Sequence, residues 1–154
     1  MGDSIDDGRR ALVARMTAFP DVLTAAARAF VPHEAGLPAG EWTAREIVSH
    51  LVAVERRVWQ TRLDMLTAST DEPAWTWTEP GPTDDPEAAT LDGALVLLAA
   101  ERAATLARVT ALDDGGWART GVHATYGRLD VAGLLGVLLD HDDQHLAGLR
   151  TIGT

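Results

Sequence analysis

"GLLGVLLDHDDQHLAGLR", residues 133–150, is an apolar run that carries two histidines four positions apart. Plotted as a helix, Val131, Leu134, Leu138 and Leu149 gather on one side. His145 lies inside that stripe and His141 on its edge, about 60° from Leu138. Asp140, Asp143 and Gln144 project the other way, and Asp142 takes the shoulder opposite His141. The acids read as a wet face and the histidines as an inward pair. Two imidazoles at i and i+4 can reach one ion, but such pairs also arise by chance at a solvated helix end.

Three more segments repeat the helical period. Leu12, Met16, Phe19, Leu23, Ala26 and Phe30 keep one phase through Pro20, which predicts one kinked helix or two coaxial ones. "PHEAGLPAG" (32–40) ends it. "TARE" then opens a second helix, with Thr43 and Glu46 as a capping box; its stripe is Ile47, Leu51, Val54, Val58 and Met65, and it runs to about Leu66. A third helix is expected from Asp85–Pro86, with Leu91, Leu95, Leu98, Thr105 and Val109 inward. Asp130 caps the fourth. Residues 67–87 form a long Pro- and acid-rich connection holding Trp75 and Trp77, the kind that serves as a cover or crossover. Residues 113–128 are turn-rich, with room for a short hairpin. Strand signals are otherwise nearly absent. The expected fold is all-α: a four-helix bundle with long crossover connections, one domain over 1–154 with residues 1–7 flexible.

Composition narrows the function. The 154 residues carry a net charge of −10, which argues against nucleic acid or an anionic membrane as partner. Without cysteine there is neither a disulfide nor a thiolate metal site, so any transition metal must use His, Asp or Glu. All 13 basic residues are arginine, which removes lysine Schiff-base chemistry. No apolar run reaches the ~20 residues of a membrane span. "MGDSIDDGRR" lacks the basic and apolar regions of a secretion signal, and a cytoplasmic location is expected.

Among the other histidines, His33 and His123 fall in connections and read as surface residues. His50 lies at the border of the second helix's stripe. Alone, it reads best as a boundary histidine bonded to a carbonyl; beside an inward pair on another bundle helix, a shared ion becomes the competing account.

"GEWTAREIVSHLVAVERRVW" followed far downstream by "GLLGVLLDHDDQHLAGLR" resembles the DinB-like (damage-inducible) metal-binding bundle family. The elements are Trp42 before the capped helix, His50–Leu51 within it, and His141 with His145 in the last helix. "MTAFPDVLTAAARAF" is similar to the family's first helix. The resemblance spans nearly the whole chain. It implies a four-helix bundle in which His50, His141 and His145 hold one divalent transition metal, often in a dimer. It also implies relatives that are transferases or isomerases using low-molecular-weight bacterial thiols. Nitrogen-rich ligation suits Zn or Ni, with Mn or Fe as alternatives.

Three protein ligands would leave positions open for water or a small-molecule substrate. The leading expectation is a thiol-dependent S-transferase; the alternatives are a metal-dependent hydrolase, a non-catalytic metal-binding or stress-response protein, and an interaction module. No residue stands out as a general base. Glu46 and Arg57 flank His50 and could face the cavity or form a surface pair. Arg102 lies within about 20° of Leu91 in an apolar stripe, so it needs a partner such as Glu46 or Asp142, or must snorkel. Trp59, Leu63 and Leu66 form a second apolar face on the second helix, to be covered by the 67–87 connection or by a homodimer.

Overall fold

A computed structural model describes residues 2–68 and 71–150. Its elements in chain order are α1 (Gly2–Phe30), α2 (Ala44–Val54), a π-helical turn (Glu55–Gln60), α3 (Thr61–Ala68), β1 (Ala74–Trp75), α4 (Leu91–Thr110), α5 (Asp114–Trp117), β2 (Thr120–His123), β3 (Gly127–Asp130) and α6 (Val131–Arg150). Short 3-10 turns at Val31–Gly36 and Pro86–Ala88 lead into α2 and α4. Helix α1 begins within the stretch expected to be flexible. α2, the π turn and α3 run on as one helix, which with α1, α4 and α6 forms a four-helix bundle: α1 packs on α4 and α6, and α2 on α4.

Helix starts obey side-chain capping. Thr43 Oγ1 accepts from Glu46 N at 3.2 Å, and Glu46 Oε2 accepts from Thr43 N at 2.8 Å, the reciprocal box. Asp130 accepts from Gly133 N at 2.8 Å to open α6. The third start differs from expectation. Asp85 accepts from Glu87 N at 3.0 Å, but it caps only the 3-10 turn. Thr90 is extended, and it is Thr90 that caps α4 through Gly93 N at 3.1 Å. Asp85 also binds Arg56 at 3.0 Å, which ties this turn to the neighbouring helix.

The π turn changes the side-chain phase of the second helix. Its i→i+5 bonding inserts an extra residue, so the buried face shifts downstream. Val54 and Val58 are buried, then Trp59, Leu63 and Leu66, while Met65 is only half-buried. The two apolar faces anticipated on a uniform helix are therefore largely consecutive parts of one buried surface.

Helix α1 passes through Pro20 without interruption. Proline has no N–H, so the Met16 carbonyl loses its helical donor. Arg102 Nη1 supplies the replacement at 3.2 Å. Two apolar clusters result, one around Leu23, Phe30, Val48, Leu51 and Leu98, the other around Met16, Trp59, Leu134 and Leu138. Arg102 reaches the first through Phe19, 5.2 Å below its guanidinium, and the second through Met16.

A small sheet accompanies the bundle: the short hairpin for which residues 113–128 left room, and one strand in the long connection that was not expected. β2 and β3 form an antiparallel hairpin, and β1 pairs parallel to β2 with Ala74 opposite Val122. This sheet ties the long connection to the hairpin. Gly121 is required there, because a Cβ would stand 2.2 Å from the Trp75 ring. Trp75 and Trp77 then pack over Trp59, Leu63 and Leu66, so that face is covered within the chain. No helix among the described residues is long and apolar enough to cross a membrane.

Candidate metal centre

His50 sits on α2, seven residues past its cap, and His141 and His145 sit one turn apart on α6. Packing brings them together: the His50 ring centroid is 5.6 Å from that of His141 and 4.8 Å from that of His145. Glu79, from the long connection, completes the group. One donor atom from each of the four residues lies within 4.8 Å of all the others. The Nε2 atoms of His141 and His145 are 3.3 Å apart, and Glu79 Oε1 stands 3.3 Å from His141 Nε2 and 3.4 Å from His50 Nε2.

The tautomer of His50 is fixed from behind. Its Nδ1 lies 2.6 Å from the Pro80 carbonyl, which can only accept, so Nδ1 carries the proton. The Nε2 lone pair then faces the cluster, where that buried atom has no hydrogen-bond partner among the described residues. Bonding of the remote nitrogen in this way is the usual support of a metal-ligating histidine. Burial pushes all three histidines below their ordinary pKa, His145 to about 4. They are thus neutral near pH 7, the state a metal requires. Burial alone would raise the Glu79 carboxyl, but hydrogen bonds from Trp77 and His141 outweigh it and hold it low.

Lone pairs facing one another need a proton or a cation between them. For bonds of 2.0–2.1 Å, the edge of a tetrahedron around a small divalent ion is about 3.3–3.4 Å. Three of the six separations, 3.3, 3.3 and 3.4 Å, match that edge, and all six lie within 4.8 Å. The group could hold a divalent metal ion.

Glu79 and His141 open onto a cavity of about 330 Å³, which is also lined by Trp77, His123, Tyr126, Asp140 and Gln144. Trp77 forms part of its wall, and the Trp77 and Trp59 rings lie 5.6 and 6.0 Å from that of His141.

The remaining expected residues divide. Asp140, Asp143 and Gln144 are exposed, as their helix angles require. Glu46 is occupied by the capping box and Arg57 is exposed to solvent; neither lines the cavity. Arg102 and Asp142 meet away from solvent. Arg102 Nη2 donates to Asp142 Oδ2 at 2.9 Å, and its Nε donates to Glu55 Oε1 at 2.8 Å. Glu55, not Glu46, is thus the second carboxylate, and Arg102 does not snorkel: it is 1% exposed. Burial drives the Asp142 carboxyl up to about 7, against the pull of Arg102.

His123, expected at the surface, is 1% exposed. Its Nδ1 accepts from Thr125 N at 2.9 Å and Tyr126 N at 3.2 Å, capping the hairpin turn. The sequence could have signalled this: a polar acceptor two residues before "TYG" is a turn-capping position. Glu79 had no such signal, since its neighbours in the fold lie far away in sequence. Arg62 also escaped notice. It is buried, lies 5.6–5.9 Å from the Trp59, Trp75 and Trp77 rings, and donates to the Thr76 carbonyl at 2.8 Å. Arg62 thereby anchors the segment that delivers Glu79.

Comparison with known proteins agrees with this architecture. YfiT from Bacillus subtilis, described as a probable metal-dependent hydrolase with an unusual four-helix bundle topology, superposes with a TM-score of 0.69 at 21% identity, covering 92% of this chain and 83% of YfiT. At that identity the likeness establishes a shared fold. No curated protein matches the chain by sequence. The family model of the DinB superfamily matches residues 4–149. The chain belongs to the DinB superfamily.

Proposed function

We propose that this protein is a metal-dependent hydrolase of a small molecule, with His50, His141 and His145 as ligands of one divalent ion, Zn or Ni in first place. The observation that carries this reading is Glu79. A carboxylate that is 49% exposed reaches from a connection into a cluster of neutral imidazoles. The description of YfiT as a probable metal-dependent hydrolase supports the same class. An ion in this site would polarise a substrate carbonyl and acidify a water.

The chain's own groups would do the rest. Glu79 accepts a proton from the attacking water while Trp77 Nε1, 3.0 Å from Oε2, holds the carboxylate in place. The water oxygen bonds to the carbonyl carbon, the bond to the departing nitrogen or oxygen breaks, and the proton passes to the departing atom. Pro80, next to Glu79, orients His50. Trp59 and Trp77 exclude bulk water. Thiol transfer stands second. Open coordination positions would suit a thiolate as well, but it needs no carboxylate proton acceptor, and the cavity provides one.

Elemental analysis of the purified protein, followed by an ester and amide hydrolysis screen of the zinc-loaded form, tests the reading. Stoichiometric metal should be lost in a His50→Ala, His145→Ala double variant. Glu79→Gln should keep its metal and lose about 10²-fold or more of the turnover. Full metal occupancy in the double variant, or undiminished turnover in Glu79→Gln, refutes it.

A further inference from the structure

The donor cluster borders two cavities, not one. His141 and Glu79 line the cavity already described, whereas His145 lines a second of about 270 Å³ that shares no lining residue with the first. The two histidines' Nε2 atoms are 3.3 Å apart, so the cavities flank the candidate metal centre from two sides. The side chains that wall them differ in kind. Phe30, Leu37, Trp42 and Ile47 wall the second cavity, with Glu41 its one carboxylate. Trp42 stays 36% exposed although its ring is 4.9 Å from that of His50. The first cavity offers hydrogen-bonding groups instead, from Thr125, Tyr126, Asp140 and Gln144.

We propose that the two cavities receive the two halves of one substrate, an uncharged ester or amide of an apolar acid. The acyl chain occupies the Trp42 cavity, the polar leaving half occupies the Tyr126 cavity, and the cleaved bond lies at the donor cluster. This rests on the hydrolytic reading above. Carboxylates on both sides, Glu41 and then Asp140 with Glu79, disfavour an anionic substrate. Water adds its oxygen to the acyl carbon, the acyl–oxygen or acyl–nitrogen bond breaks, and the leaving atom takes the proton, giving one acid and one alcohol or amine. Each methylene buried among such walls should tighten binding up to about fourfold.

Gly148 makes the test selective. It lines the Trp42 cavity three residues beyond His145, and a Cβ there meets no atom within 4 Å. Gly148→Leu therefore fills the cavity without displacing backbone; Leu37→Asn, which makes the wall polar, is the second variant. Binding of acetamide and hexanamide to the metal-free proteins would be followed by NMR shift titration. Hydrolysis of p-nitrophenyl acetate and hexanoate would be followed with zinc-loaded protein. The wild type should favour hexanamide over acetamide by about tenfold or more, and hexanoate over acetate in kcat/KM. Both variants should lose the chain-length preference while retaining zinc. A preference missing in the wild type, or unchanged in both variants, overturns the assignment while acetate hydrolysis upholds the hydrolytic reading. A preference that the variants abolish, in a protein with no zinc-dependent hydrolysis, upholds the cavity as the apolar ligand site and overturns the hydrolytic reading alone.

Discussion

Replacing Arg102 by methionine is the sharpest perturbation of this bundle. The guanidinium joins all four long helices: it sits on α4, bonds the Met16 carbonyl of α1, bonds Glu55 in the π turn, and bonds Asp142 of α6. Methionine fills the volume but leaves Glu55 and Asp142, each 2% exposed, without their cation. It also leaves the Met16 carbonyl, already deprived of a donor by Pro20, without Arg102. Breaking a buried ion pair by deleting one partner costs about 3–5 kcal/mol. Asp142, whose pKa is about 7, can take up a proton and soften that cost, which places the expectation near the lower end. Against a total stability of about 5–15 kcal/mol, Arg102→Met should lower Tm by roughly 10 °C. Urea unfolding at pH 7, followed by far-UV circular dichroism, measures the loss directly. The triple variant Arg102→Met, Glu55→Gln, Asp142→Asn should recover much of it, since no uncompensated charge remains. A single variant that loses less than about 1 kcal/mol would show that these groups are solvated and would refute the argument.

Metal should stabilise the native state: zinc at a hundredfold excess over its Kd adds about 2.7 kcal/mol, a Tm rise of roughly 5–10 °C that His50→Ala should abolish in a thermal-shift assay. In the metal-free protein, His145 titrates at about 4 when folded, against 6.5 as the ordinary value. The unfolded chain therefore binds the extra proton first, so this stabilisation is complete above about pH 6.5 and is lost as pH falls toward 4. After allowance for the ring's partial exposure it amounts to on the order of 2 kcal/mol; urea midpoints across that range should flatten in His145→Gln, and an unchanged slope would count against burial as the cause. His123→Ala leaves two turn N–H groups without their acceptor and should cost about 1–3 kcal/mol, whereas His123→Asn keeps an acceptor near the Nδ1 position and should restore most of it in the same denaturation assay. Gly121→Ala must displace the Trp75 ring from β2, measurable as a red shift of tryptophan fluorescence; an unaltered spectrum would mean that the ring does not pack there.

Much of this protein was legible in its sequence because helices announce themselves locally. The 3.6-residue period, the Thr43–Glu46 box and the Asp130 cap act over a few residues, so the four long helices and the direction of His141 and His145 followed from spacing alone. Local rules also misled at identifiable places. Asp85–Pro86 has the signature of a helix start, yet Thr90 takes that role. "HATYGR" reads as surface loop, yet its histidine is buried as a turn cap. The uniform period assigned to the second helix missed the π turn, which redirects Trp59, Leu63 and Leu66 without altering composition.

What the sequence determined by itself is the set of amphipathic helices and an inward-facing pair of imidazoles, since both depend on side-chain angles around a single helix axis. What only the tertiary structure decided is which groups meet across helices. The pairing of Arg102 with Glu55 rather than Glu46, the arrival of Glu79 beside three histidines, and the two cavities at that cluster all arise from contacts between residues tens of positions apart. Such contacts are set by how the helices pack and where β1 fastens the long connection, and no local periodicity encodes either.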